Sequence, residues 1–436
     1  MPHFSRLICI FLFLTFAFPV FSQSNQQNKS EINLFLDCGG CDMNFIKTEI
    51  NYINFVPDRF SANVYILPGS QSTGSGGEQI TLFIYGQKEF EGLDDTLKLY
   101  RTSVETEAEF RIKVVKYLKM ALVRYIARTD LNEQLNISMK SKDSNNKESF
   151  KLVEKNKDKW NYWVYNVGIS GNFNNDDVSK FSKFSGSVDA SRVTEKMKCY
   201  FFANLNSSQR KYIFDGVESK FPNTGYGLNA TFVKSINSHW SAGGYGNYQY
   251  STFSNFKKRI AFEPAIEYSF YKYADAVKKS ITFFYKIGPS HNEYIDSGYY
   301  DSPAHLLWSQ SLSLRMAFTQ KWGTLNFSAT GNGFLNDFYL NNSKINGYSI
   351  RQVSISCNLN IRIIKGLSAN VYSVAEFTEG IYPNITRTAF TRDELLTNTR
   401  QYPTSKFLYC YFGLNYRFGS IYNNIVNPRF DSNNNF

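Results

Sequence analysis

Residues 353–363 read VSISCNLNIRI, and the architecture turns on that stretch. Val353, Ile355, Cys357, Leu359, Ile361 and Ile363 alternate with Ser354, Ser356, Asn358, Asn360 and Arg362. A helix cannot keep a period of two on one side, so this is a strand with one apolar and one polar face. Residues 408–418 repeat the pattern, with Leu408, Cys410, Phe412, Leu414, Tyr416 and Phe418 opposite Tyr409, Tyr411, Gly413, Asn415 and Arg417. Residues 308–318 set Leu312, Leu314, Met316 and Phe318 against Ser311, Ser313, Arg315 and Ala317.

Working outward from these, the same period marks about twelve segments, near 160–171, 180–193, 196–208, 224–235, 239–253, 257–270, 278–289, 305–319, 322–337, 347–364, 366–379 and 405–418. Most exceed the roughly 9–11 residues with which a tilted strand crosses a bilayer. Tight turns are expected at Thr194-Glu195, Asn237-Ser238, Gln320-Lys321 and Lys365-Gly366, with 271–277 a longer member of that set. Longer excursions are expected at 209–223, 290–304, 338–346 and 380–404. Short turns on one side and long loops on the other are the pattern of an outer-membrane barrel. The expected fold is therefore a transmembrane antiparallel β-barrel of about twelve strands over 159–418, closed by pairing of its first and last strands so that no backbone group faces lipid unpaired. A soluble β-sandwich also alternates, but strand length and loop asymmetry count against it. Aromatic residues near strand ends (Trp160, Tyr162, Trp163, Trp240, Tyr271, Tyr273, Trp308, Trp322) fit interfacial girdles.

The remaining chain agrees. It has 436 residues, 42% hydrophobic, 17% aromatic and 19% charged. Its mean hydropathy is −0.36. Such aromatic loading excludes a mainly disordered chain, and past residue 22 no apolar run is long enough for a membrane helix. Residues 1–22 read as a signal peptide, with Arg6 before the apolar 7–18 and cleavage expected before Gln23. The formal charge of +11 falls to +10 with the loss of Arg6. Export makes nucleic acid an unsuitable partner for that excess.

Residues 31–139 read as a small α/β domain in the order β-α-β-β-α-β, helices on one face of the sheet. Its strands are expected at 32–36, 62–67, 79–85 and 135–139. Asp42 caps a first helix through Phe45, Ile46, Ile50 and Ile53. Thr106-x-x-Glu109 is a capping box for a second, whose expected stripe is Ala108, Ile112, Val115, Leu118, Leu122 and Ile126. Residues 69–77 read as a flexible loop, with no Gly-Lys-Ser/Thr to make it a phosphate cradle. Residues 140–158 read as a polar tether and 419–436 as a C-terminal tail.

Cys38-Gly39-Gly40-Cys41 lies between a strand and a helix start. Three readings stand: a structural disulfide suited to an oxidising compartment, free or metal-binding thiols, and a redox pair whose thiol pKa the helix terminus lowers. Cys199, Cys357 and Cys410 fall on apolar strand faces and read as small hydrophobes. On the polar faces Asp189, Glu263, Glu267, Lys286, Arg315, Arg362, Glu376 and Arg417 are expected to point into a narrow lumen, as a plug of paired charges or as the lining of a solute path. Thr391-x-x-Glu394, within 380–404, could open a short helix over the outer mouth. His305 with Ser302 or Ser309 is the one constellation that a barrel hydrolase could use.

Residues 411–418, YFGLNYRF, resemble the C-terminal signal read by the barrel-assembly machinery, with Tyr411 in the polar place, then Gly413, then the aromatics Tyr416 and Phe418. The chain continues past Phe418, where that signal ordinarily ends. Together with the tail, the DCGGCD segment at 37–42, STGSGG at 72–77 and RYIAR at 124–128, it resembles an uncharacterised family of gram-negative outer-membrane β-barrel proteins with an N-terminal periplasmic domain. The resemblance implies location and architecture: an outer-membrane barrel, with the N-terminal domain and the tail in the periplasm. It implies no activity. The expected partners are outer-membrane lipid, the barrel-assembly machinery during biogenesis, and a periplasmic protein met through residues 31–139, with no nucleic acid and no cofactor. The expected role is non-enzymatic, in envelope assembly or transport, with a small-solute channel as the alternative and a hydrolase behind both.

Overall fold

The computed structural model describes residues 32–74, 76–137, 158–297, 302–340, 343–385, 392, 404–420 and 426. The signal segment, nearly all of the tether, most of 380–404 with its Thr391–Glu394 box, and nearly all of the tail past 420 lie outside the described residues.

The N-terminal domain runs β1 (Asn33–Leu36), α1 (Met43–Glu49), β2 (Asn54–Phe55), β3 (Val64–Ser72), β4 (Glu78–Gly86), β5 (Asp95–Arg101) and α2 (Glu107–Ile126). Its sheet has the order β2-β1-β3-β4-β5. β1 lies parallel to β2 and β3, while β3, β4 and β5 are antiparallel. Several details depart from the sequence reading: α1 stops at Glu49, short of Ile53, and β2 is an added strand. The last strand precedes α2 rather than following it: Asp130–Gln134 is a 3-10 turn, and residues 135–137 join no sheet. β5 is a weak signal because only Leu97 and Leu99 turn inward, between charged neighbours. The expected loop at 69–77 also shrinks to 73–77, because β3 extends through Ser72.

Helix starts follow the caps. The Asp42 carboxylate accepts from Phe45 N–H at 3.0 Å. Thr106 and Glu109 form a complete capping box. The α2 stripe is rotated from expectation: Val114, Val115, Leu118, Ala121, Leu122, Tyr125 and Ile126 are buried, whereas Ile112 is exposed. With Ile32, Leu34, Ile66, Ile84 and Leu99 they form the core between the helices and one sheet face.

The second region is one antiparallel sheet of 12 strands. They are β6 (Trp163–Asn175), β7 (Ser179–Val193), β8 (Met197–Phe214), β9 (Val217–Ser235), β10 (Trp240–Ser251), β11 (Phe256–Ser269), β12 (Lys279–Tyr294), β13 (Ala304–Gln320), β14 (Gly323–Phe334), β17 (Arg351–Ile364), β18 (Leu367–Glu379) and β19 (Lys406–Tyr416). A short hairpin, β15 (Phe338–Leu340) with β16 (Ser343–Ile345), stands apart from it. Each expected segment is a strand. Tight turns at 194–196, 236–239, 321–322 and 365–366 mark one end of the sheet. At the other end the expected excursion at 209–223 is absent: β8 and β9 pair as far as Phe214 and Val217. They are joined by Asp215-Gly216, both at positive φ (51° and 74°). That is the turn that Asp-Gly favours, because both central residues must enter the left-handed region.

The register fixes two faces. One row reads Ile266, Tyr285, Leu312, Gly331, Val353, Phe377, and the next on that face reads Phe283, Leu314, Ala329, Ile355, Ala375, Leu408. Between them, on the opposite face, runs Phe284, Ser313, Thr330, Ser354, Glu376, Phe407. The apolar face is bare: Leu312 is 58% exposed, whereas its neighbours Ser311 and Ser313 on the other face are buried. The sheet is rolled about that polar face. Asn384, beyond β18, reaches Asn255 at the β10–β11 hairpin, with Asn255 Nδ2 donating to Asn384 O at 3.1 Å. Its ladders run unbroken from β19 to β6, and a pairing of those two edge strands is not among the described ones.

Candidate functional site

The N-terminal sheet is apolar on both faces. Phe35, Tyr65, Leu67, Phe83 and Tyr85 point away from the helices, and they pack with Val277 of the 270–278 connection. The domain therefore sits across the short-turn end of the large sheet. Gly69 lies so close that an added Cβ would come within 2.7 Å of Val277 Cγ1. Gly74 approaches Val193 in the same way, at 2.6 Å from its Cβ. Lys278 sets its ammonium 4.1 Å above the Phe83 ring, and Lys321 sits 3.9 Å above Tyr85. The Asp58 carboxylate accepts from Gly366 N–H at 2.8 Å.

The centre of this contact is ionic. Arg362, at the end of β17, forms a salt bridge with Asp37. Its Nη1 also donates to the Tyr65 hydroxyl at 3.4 Å, and that hydroxyl donates to Asp37 Oδ2 at 3.0 Å. Tyr65 has no exposed surface. Burial, with the Asp37 carboxylate beside it, pushes the Tyr65 hydroxyl above the usual tyrosine range. A cavity of ≈ 590 Å³ adjoins the contact, lined in part by Asp37, Cys38, Lys47, Asp58, Arg362 and Arg417. Burial and then the charge of Arg417 lower the Lys47 ammonium from its ordinary value.

Cys38 and Cys41 are joined by a disulfide, Cα atoms 5.5 Å apart, at the rim of that cavity. Cys199, Cys357 and Cys410 are free thiols. By register the eight expected lumen charges share the polar face, but they do not form a paired plug. Among the described residues Glu263 and Lys286 alone of them pair with each other, at 2.7 Å. Asp189 accepts from Asn166, Glu267 from Tyr273, Arg315 lies over the Phe284 ring, and Arg362 turns to the N-terminal domain. Glu263, Glu267, Lys286 and Arg315 gather round the Tyr245–Phe284 ring pair. In the terminal signal Gly413 faces Asn370 across the ladder, under the Tyr411 hydroxyl. The Tyr416 and Phe418 rings stack at 5.4 Å.

Both serines set beside His305 in the sequence donate elsewhere. His305 Nδ1 meets the Tyr294 hydroxyl at 3.2 Å, while Ser302 donates to Ala304 O and Ser309 to Glu263. A second cavity, of ≈ 370 Å³, lies on the polar face between β10 and β17 under the segment 382–384. Sequence reasoning missed the turn residues Val277, Lys278 and Lys321, and Arg259 within the inner cavity. A signal for the turn contact was present: VYIL at 64–67 and LFIY at 82–85 are continuous apolar runs, as in strands covered on both sides.

No family model matches the chain, and no curated protein matches it. Among solved structures it is similar to the NanC porin in a rhombohedral crystal form, at 10% identity and a TM-score of 0.27, over 59% of this chain and 99% of that one. So weak a likeness bears no weight, and the fold stands on the register of its own strands.

Proposed function

We propose that the chain is an outer-membrane β-barrel protein that passes small polar solutes, with its N-terminal domain as a periplasmic lid on its own barrel. The carrying observation is the apolar sheet face laid over the short-turn end and held by the Asp37–Arg362–Tyr65 cluster. The bare apolar face asks for lipid as its solvent, and the polar face lines the path. What supports a non-enzymatic reading is that Ser302 and Ser309 donate to Ala304 O and Glu263, while His305 meets the Tyr294 hydroxyl.

Single-channel recording of the full chain in planar bilayers tests this. Arg362→Met removes charge-assisted hydrogen bonds worth about 1.5–3 kcal/mol each, so the open fraction should rise about 10-fold or more. Equal open fractions in both proteins overturn the lid; absence of conductance steps in both overturns transport. A docking role in envelope assembly is the second reading. It is favoured by Ile112 and Met120, exposed two turns apart on the outward face of α2. Crosslinks from that row to an envelope protein would support it.

A further inference from the structure

The inner cavity holds a charge that its own wall answers only in part. Arg259 of β11 lines it, with its guanidinium 5.4 Å from the Phe256 ring centroid and its Nε buried without a hydrogen-bond partner. The one carboxylate among the described lining residues is Glu263. That carboxylate is taken: Lys286 binds Oε2 at 2.7 Å and the Ser309 hydroxyl donates to Oε1 at 3.4 Å. The wall therefore carries two cations and one anion. A buried charge without a counter-charge is costly, and a bound anion relieves it.

The rest of the wall says what else the anion carries. Asn292 Oδ1 is buried with no partner, an acceptor waiting for a donor. Asn332 and Gln352 add two amides, Asn332 Nδ2 donating to Gln352 Oε1 at 3.4 Å, each able to donate and accept further. Bare halide would leave Asn292 Oδ1 without a donor, while a molecule with several hydroxyls supplies one and can bond the two amides as well. A volume of ≈ 370 Å³ is at the small end of ligand sites. The roof is the 382–384 segment, pinned by Asn384 Nδ2 donating to Ser254 O at 3.3 Å and by Asn255 Nδ2 donating to Asn384 O at 3.1 Å.

We propose that this cavity binds a small hydroxylated carboxylate, its carboxylate on the fork of Arg259 and its hydroxyls on Asn292, Asn332 and Gln352. The planar guanidinium suits a carboxylate, which it can hold by two parallel hydrogen bonds. The solute class deepens the transport reading and rests on it for passage, but not for binding.

Titration calorimetry on the full chain in detergent micelles tests the site, with D-gluconate as probe and D-glucose as its neutral counterpart. Gluconate should bind saturably, and glucose about 10-fold more weakly or worse, the effect of losing one charged hydrogen-bond pair. Arg259→Gln should weaken gluconate by a similar factor and leave glucose unchanged, while Arg315→Gln, outside the cavity, changes neither. If Arg259→Gln does not fold, Asn332→Leu replaces it and should weaken both probes. Absence of saturable gluconate binding, or equal binding by wild type and the folded cavity variant, overturns the proposal. Binding without conductance would keep the site and sink transport; conductance without binding would do the reverse.

Discussion

The two regions of this molecule solve burial in opposite senses. In the N-terminal domain Leu118, Leu122, Ile66 and Ile84 are wholly buried, and charged side chains hold the rim. In the twelve-stranded sheet the large apolar side chains point outward: Phe412 is 77% exposed and Ile169 75%, while Ser313 and Asn292 are buried. The same residue types thus occupy inverse places, and the difference identifies the solvent that each region is built for. Water drives the domain's core inward. Only hydrocarbon makes the sheet's arrangement favourable, since its polar face is then the one that needs shelter.

The sharpest way to test that contrast is to shrink an apolar side chain in each region. Leu118→Ala opens a cavity among α1, α2 and the sheet, and should cost about 2–5 kcal/mol of domain stability. Leu312→Ala removes atoms that are more than half exposed and should move unfolding in detergent far less. Urea titrations of the two variants give the comparison. A Leu312→Ala loss as large as that of Leu118→Ala would mean that the outer face packs against protein, and the lipid reading would fall.

A charge tests the same face from the other side. Leu312→Arg, near the middle of β13, should cost about 2–4 kcal/mol in a bilayer, the penalty of a cation at mid-depth. Asn358→Arg, on the polar face of β17, should cost little, because water and hydrogen-bonding neighbours are at hand. Folding titrations into lipid vesicles measure both. Equal penalties would erase the distinction between the two faces.

The contrast also explains what was readable beforehand. A strand with one face in lipid and one in the lumen alternates strictly, so VSISCNLNIRI and its counterparts show their faces directly. The N-terminal strands β3 and β4 are covered on both sides and alternate hardly at all. Their helix-facing residues were legible because α2 supplies a matching stripe, but Tyr65, Leu67, Phe83 and Tyr85 needed a partner that the local sequence does not hold. That partner is dispersed over turns far apart in the chain: Val193, Val277, Lys321 and Gly366. The inner cavity is dispersed likewise. Arg362, one of the expected lumen charges, illustrates the limit: its face follows from period two, whereas its bridge to Asp37 depends on how the two regions meet. Asp215-Gly216 was different, a local signal carrying its own turn, passed over because the flanking residues read as a polar excursion.

The smallest effect separates the regions by pH. Glu109, in the capping box at the start of α2, is held below the usual carboxylate range, first by the backbone N–H of Thr106 and then by its hydroxyl. Because the folded value is the lower one, ionised Glu109 supports the helix start at neutral pH. That support is fully present above the ordinary carboxylate range and is lost as pH falls through it toward the folded value. Hydrogen exchange at the first turn of α2 should therefore quicken on acidification, and Glu109→Gln should flatten the response, since its amide bears no proton to lose. The amides in the middle of β13 and β14, held by backbone ladders, should show no matching step. A shared step in both regions would tie acid sensitivity to something that holds the N-terminal domain to the large sheet, and Asp37 at their ionic contact would then be the group to change next.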